Sequence, residues 1–117
     1  MTPLEKDIEK ALGRMIGRHG GLCLKWVCPG WAGVPDRIIL LPGGVVMFAE
    51  LKRPKGGVIS KQQKWWADKL ARLGFRHLFI FSHEDVKSLE TTIVGGLPRY
   101  TGYTGKCFEK QEVSGNG

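Results

Sequence analysis

The chain has 117 residues, a mass of 13.0 kDa and a net charge of +7. This length suits one domain with a modest core and argues against a second independent domain. The positive charge favours polyanionic partners such as nucleic acid. Three cysteines without a paired spacing argue against a disulfide framework or a zinc site. No apolar run is long enough to span a membrane, so we expect a soluble, cytoplasmic protein.

The pattern of apolar residues predicts the element order α-β-β-β-α-β-α. Two helices begin with the spacing of a capping box, Thr2 with Glu5 and Ser60 with Gln63. A Pro-Gly-Gly run between two β-rich runs is typical of a hairpin. The predicted elements are a helix from Thr2 to the glycines at 20–21, strands 22–28, 37–41 and 45–51, a helix 60–73, a strand 75–82 buried on both faces, and a short helix 84–91.

Three charged side chains near this hairpin carry the predicted chemistry. Glu50 and Lys52 are two residues apart on one strand, so they share a face of the sheet. If the hairpin loop has three residues, the antiparallel count places Asp36 opposite Glu50, with β-carbons roughly 5 Å apart. A two-residue loop would pair Asp36 with Leu51 instead, and a bulge would shift either count.

Two carboxylates at that distance favour a divalent cation between them, and oxygen ligands suit Mg²⁺, with Mn²⁺ as a substitute. The backbone carbonyl of Leu51 is a further candidate ligand. Such an ion would polarise a phosphate and activate water, while Lys52 would stabilise the added negative charge. An acidic residue two positions from a lysine is also common on a solvated strand edge. The prediction therefore depends on the combination with Asp36, the flanking apolar residues and the basic chain.

The segments that carry this pattern resemble a known family. The runs GVPDRIILLPGG (33–44) and MFAELK (47–52), with Ser60 and Gln63, resemble the virus-type replication-repair nucleases, VRR-NUC, of the PD-(D/E)xK superfamily. The resemblance implies an α/β, restriction-endonuclease-like fold with a mixed central sheet flanked by helices.

The resemblance extends from about Glu5 to Asp85. It implies a nuclease domain over residues 1–93 and a glycine-rich extension over 94–117, which we expect to be partly disordered.

The resemblance also implies roles for individual residues. The metal ligands would be Asp36 and Glu50, and Lys52 would be the catalytic lysine. Gln63 matches a helix-borne glutamine near the family's active site, although its capping-box spacing explains it without any chemistry. Members of the superfamily also bring a glutamate from the first helix to the metal. The candidates here are Glu5, which the helix cap could occupy, and Glu9, which we favour.

Several basic residues surround the predicted site and are candidates for holding DNA phosphates, although each could be an ordinary solvated side chain. They are Lys25, Arg37, Arg53, Lys55 and Lys61. Four tryptophans could stack on bases or pack in the core, and among them Trp31 is expected to be exposed and Trp66 to be in the core.

Stand-alone members of the family, often phage-encoded, form homodimers that act on branched DNA such as four-way junctions. The resemblance therefore implies an Mg²⁺-dependent DNA endonuclease that acts as a homodimer in replication, recombination or repair, in a bacterial or phage-infected cell. The alternatives are a nuclease specific for flaps, other DNA structures or RNA, and a non-catalytic nucleic-acid-binding domain of the same fold.

Overall fold

The computed structural model describes residues 3–96 and shows the predicted order of helices and strands. The elements are α1 (Pro3–Arg18), β1 (Leu22–Lys25), β2 (Arg37–Leu41), β3 (Val45–Leu51), α2 (Lys61–Arg72), β4 (Arg76–Ile80) and α3 (His83–Val94). The glycine-rich extension lies largely outside the described residues. Within residues 3–96, none of the helices has the length and apolar character that a bilayer span requires.

The four strands form one mixed sheet in the order β1-β2-β3-β4. The β1–β2 and β2–β3 pairs are antiparallel, and β3 and β4 are parallel, with α2 as the crossover between them. The β2–β3 hairpin pairs Leu41 with Val45, so its loop consists of Pro42, Gly43 and Gly44. Both glycines have positive φ, which residues with a side chain rarely adopt. The expected mixed sheet and three-residue loop are therefore confirmed.

The core lies on one face of the sheet. The apolar stripe of α1 packs there with Met47, Ala49 and Leu51 of β3 and with residues of α3. Because successive side chains of a strand alternate, Phe48 and Glu50 point to the opposite face, where α2 lies. The alternation of β3 thus separates the core from the site.

Three predicted boundaries or environments differ from the structure. Strand β1 ends at Lys25, not at Cys28, because Lys25 pairs with Arg37, the first residue of β2. Beyond this pair the Trp26 amide donates a 2.9 Å hydrogen bond to the Asp36 carbonyl, but no further ladder pair follows. Strand β4 is mostly half-buried instead of buried on both faces, because it forms an edge of the sheet. Helix α3 continues to Val94, beyond its predicted end.

Candidate active site

The hairpin register brings Asp36 beside the end of β3. The last paired residues are Arg37 and Ala49, so continuing the register by one position sets Asp36 opposite Glu50. The Asp36 side chain turns toward β3, where its Oδ1 accepts a hydrogen bond from the Leu51 amide at 3.3 Å. The count from the three-residue loop therefore predicted the correct neighbours.

Glu50 is the centre of the site. It is only 9% exposed, and its Oε2 accepts a hydrogen bond of 3.1 Å from Gln63 Nε2. Lys52 Nζ lies 3.9 Å from the same oxygen and donates a 2.8 Å hydrogen bond to the Val58 carbonyl. Glu50 and Lys52 thus share a face, as the strand period predicted, and Lys52 is also attached to the loop that follows β3.

Gln63 takes part both in the cap of α2 and in a contact with Glu50, the two roles that its position in the sequence allowed. Its Oε1 accepts a hydrogen bond from the Ser60 amide at 3.0 Å, and Ser60 Oγ accepts one from the Gln63 amide at 3.1 Å, which together form the capping box of α2. The other end of the same amide donates to Glu50. The side chain that caps the start of α2 therefore also orients the Glu50 carboxylate.

The two carboxyl groups are electrostatically unfavourable neighbours. Burial and then the charge of Asp36 raise the pKa of Glu50 from 4.5 to about 7, against the lowering effect of Lys52. Burial also raises the pKa of Asp36, while the charge of Arg37 and the Leu51 amide lower it. At neutral pH the pair therefore favours a bound proton or a bound cation.

The donor set of this pair fits a magnesium ion. Within residues 3–96, no group of three or more His, Cys, Asp or Glu side chains is arranged to hold a metal ion. Mg²⁺ is nevertheless commonly held by one or two carboxylates and several waters. The Leu51 amide donates to Asp36, and the N–H and C=O groups of a strand residue point to the same side, so strand geometry puts the Leu51 carbonyl on the edge of β3 that is next to Asp36. Asp36, Glu50 and this carbonyl are the groups that would hold the ion.

Arg37 does not lie where a phosphate ligand would. Its side chain is 4% exposed and forms an ion pair with Glu9, and its Nη1 donates to the Asp36 carbonyl at 2.9 Å. Because its guanidinium is buried and pairs with Glu9 and the Asp36 carbonyl, Arg37 does not present its charge at the surface, and its predicted contact with DNA stays a prediction. A sequence signal existed, since Arg37 shares its face of β2 with the buried Ile39 and Leu41.

The glutamates of α1 also differ from the simplest expectation. Glu9 is close enough for its charge to raise the pKa of Asp36, but its carboxylate pairs with Arg37. Glu5 lies one turn earlier in the helix and is half-buried. Glu9 therefore pairs with Arg37 and also influences Asp36 through its charge.

The loop before Asp36 is fixed against α2 by contacts that the sequence did not predict. Trp66 Nε1 donates a 3.1 Å hydrogen bond to the Ala32 carbonyl. Gly33 has a φ of +86°, and a β-carbon there would lie 2.5 Å from that of Gln62. Only glycine allows this approach.

The other predicted basic residues are all exposed, namely Lys25, Arg53, Lys55 and Lys61.

The chain is similar to a phage protein in sequence and to a solved domain in fold. No family model matches the chain. A segment of 50 residues is 46% identical to "Putative nuclease p44" of Acyrthosiphon pisum secondary endosymbiont phage 1, and covers 43% of this chain. The match spans 54% of that relative, about half of its length.

A solved structure described as a VRR_NUC domain superposes with a TM-score of 0.71 at 23% identity. The superposition covers 83% of this chain and 100% of that structure. The chain therefore shares the α/β fold of that VRR_NUC domain, a mixed sheet with flanking helices, as its sequence resemblance predicted.

Proposed function

We propose that the protein is a metal-dependent DNA endonuclease that hydrolyses phosphodiester bonds. Its active site would be formed by Asp36, Glu50 and Lys52. The observation that carries the proposal is the environment of Glu50. This buried carboxylate faces Asp36, accepts a hydrogen bond from Gln63 and lies 3.9 Å from Lys52. The fold of a VRR-NUC domain and the name of the phage relative support the same activity.

Asp36, Glu50 and the Leu51 carbonyl would hold Mg²⁺, with Mn²⁺ as a substitute. A divalent cation bound there would polarise the scissile phosphate and lower the pKa of a water molecule. Gln63 keeps Glu50 Oε2 directed into the site. Burial and the charge of Asp36 raise the pKa of Glu50, and a cation between the carboxylates would relieve the repulsion from Asp36, so the pair favours metal binding.

Lys52 is placed to stabilise the charge that develops on the phosphate. An ammonium group has three donors, and one of them contacts the Val58 carbonyl. The remaining two can reach phosphate oxygens while the loop contact holds the side chain in place. Lys52 thus supplies a positive charge whose position is set before the substrate binds, which is the condition for strong transition-state stabilisation.

Branched DNA is the proposed substrate and a homodimer the proposed assembly. The net charge of +7 and the exposed basic residues Lys25, Arg53, Lys55 and Lys61 supply sequence-independent attraction to phosphates. A two-fold dimer would present two sites to two related strands, as a four-way junction requires.

The activity is tested by incubating the purified protein with junction, flap and linear duplex DNA in Mg²⁺, Mn²⁺ or EDTA. Glu50→Gln and Lys52→Ala should each lower the cleavage rate by roughly a hundredfold or more. Asp68→Asn and Lys87→Ala change an exposed carboxylate and an exposed lysine and serve as matched controls. Wild-type protein that cuts no DNA in either metal, or equal cleavage by Glu50→Gln, would contradict the proposal.

Substrate class and assembly need separate measurements. Preference for the junction over the flap and the duplex, with one dimer per junction in sedimentation experiments, is the expected result. A higher rate on flaps or on RNA would reject the branched-DNA assignment and leave the nuclease activity standing.

A further inference from the structure

A pocket lined by tryptophans lies beside the candidate active site. Trp31 and Trp65 are 59% and 54% exposed, and each stands nearly at right angles to Trp66, at 79° and 84°. With Gly30, Ala32 and Gln62 they line a cavity of about 300 Å³, which we call the tryptophan pocket. Exposed aromatic side chains that lie together in one patch are typical of a binding surface.

The tryptophan pocket is continuous with the face of the sheet that carries Glu50. Phe48 shares that face, two residues before Glu50, and its ring lies 5.2 Å from that of Trp26. Trp26 in turn lies 6.3 Å from Trp66. On α2, the pocket residue Gln62 directly precedes Gln63, which donates to Glu50. The side chains of Trp66, Trp26 and Phe48 therefore connect the pocket to the face of the sheet that carries Glu50.

The charges around the tryptophan pocket suit a polyanion. Lys61 and Lys69 lie four residues before and after Trp65, so they flank it on the surface of α2. The residues that line the pocket, all within the described part of the chain, include no acidic side chain. The exposed amide of Gln62 adds a hydrogen-bond donor and acceptor at the rim. A flat, aromatic, neutral group attached to phosphates meets each of these conditions.

We propose that the tryptophan pocket stacks one unpaired base of the DNA strand next to the scissile phosphate. The inference extends the proposed nuclease function, on which it rests, by naming the substrate feature that is recognised. Stacking between a base and an aromatic ring tolerates any base, because every base has a π-face. The pocket would thus select DNA in which a base has left the duplex, as at a junction or a flap, without selecting a sequence.

Binding to a short single-stranded oligothymidylate in EDTA tests the pocket without any cleavage. Trp65→Ala should weaken binding roughly five- to a hundredfold, while Trp65→Phe keeps most of the affinity because it retains an aromatic face. Leu22→Ala removes an equally exposed apolar side chain, 58% exposed and distant in the fold, and should change nothing. Circular dichroism confirms that each variant is folded.

Salt dependence separates stacking from charge. Trp65→Ala should leave the slope of log affinity against log salt unchanged, whereas Lys61→Ala should reduce it by about 0.7, the value for one phosphate contact on a single strand. Unchanged binding by Trp65→Ala, or an equal loss in Leu22→Ala, would overturn the inference. A Trp65→Ala protein that changes from dimer to monomer with full affinity per chain would also overturn it, by assigning the pocket to a second copy of the chain.

A cleavage experiment keeps this inference apart from the proposed function. Wild-type protein should cut a duplex with one unpaired base near the scissile bond faster than a fully paired duplex, and Trp65→Ala should lose most of that preference. If the wild type cuts both duplexes equally while Glu50→Gln is inactive, the nuclease function stands and the pocket inference fails. If the wild type cuts nothing but oligothymidylate binding depends on Trp65, the nuclease function fails and the pocket remains a base-binding site.

Discussion

Replacing Glu50 with glutamine should make the metal-free protein relatively more stable as the pH rises. In the folded protein the Glu50 carboxyl has a pKa of about 7, compared with 4.5 for an ordinary glutamate, so it keeps its proton to a higher pH. A raised folded pKa means that the folded state binds this proton more tightly than the unfolded state. The resulting stability is fully present below pH 4.5 and is lost as the pH rises through 7.

The size of this effect follows from the pKa. A tenfold change in proton affinity corresponds to about 1.4 kcal/mol, so the change from 4.5 to about 7 corresponds to at most about 3.5 kcal/mol. Solvent that reaches the partly open site reduces this value, and we expect roughly 1 to 3 kcal/mol. Glutamine has the shape of the protonated acid and does not titrate, so the variant avoids the loss.

Urea unfolding of wild type and Glu50→Gln at pH 5 and pH 8, with EDTA present, measures the effect. Because part of the effect is already present at pH 5, the difference in unfolding free energy should move in favour of the variant by roughly 1 to 2.5 kcal/mol between the two pH values, with unchanged m-values. Comparing the two proteins at the same pH cancels the titrating groups that do not interact with Glu50. Asp68→Asn, at an exposed carboxylate, should show almost no such change. A constant difference between wild type and Glu50→Gln would refute the reasoning, and Mg²⁺ should restore the wild type at pH 8.

Three further predictions concern the groups that support the site. Arg37→Ala should lower the unfolding free energy in urea by about 3 kcal/mol, because it leaves the Glu9 carboxylate without its buried partner; a loss below about 1 kcal/mol would contradict the structural role. Gly33→Ala should be destabilising and lower the cleavage rate, because the added carbon meets α2. Gly13→Ala, in an open part of α1, should instead raise the free energy of unfolding by about 0.5 to 1 kcal/mol, which a higher melting temperature would show. Ser60→Ala should cost about 1 kcal/mol of stability and keep cleavage, whereas Gln63→Ala should lose both, and equal cleavage by the two would contradict the second role of Gln63.

The parts of the fold that depend on local chemistry could be predicted from the sequence. The capping box at Ser60 fixed the start of α2, and Pro42-Gly43-Gly44 fixed the hairpin loop and with it the register. The end of β1 could not be predicted in this way, because it depends on where the partner strand begins. The half-buried state of β4 depends on its place at the sheet edge, which is a property of the assembled sheet.

The candidate site shows the same division. Strand period and hairpin count were enough to place Asp36 and Glu50 as neighbours. The ion pair between Arg37 and Glu9 joins residues 28 positions apart and depends on how α1 packs on the sheet. Charge alone suggested that Arg37 was exposed, although the alternation along β2 indicated the buried face. The pattern of burial was therefore a better guide to this residue than its charge.

The hydrogen bonds of Gln63 have a consequence for motion. Helix ends open and close more readily than helix centres, and the capping box controls this opening at the start of α2. Because the same side chain donates to Glu50, an opening of the first turn that displaces Gln63 would also break its hydrogen bond to the carboxylate. Amide hydrogen exchange at Gln63 should then slow when a cation occupies the carboxylates, so that the exchange rate of one helix end reports the occupancy of the site.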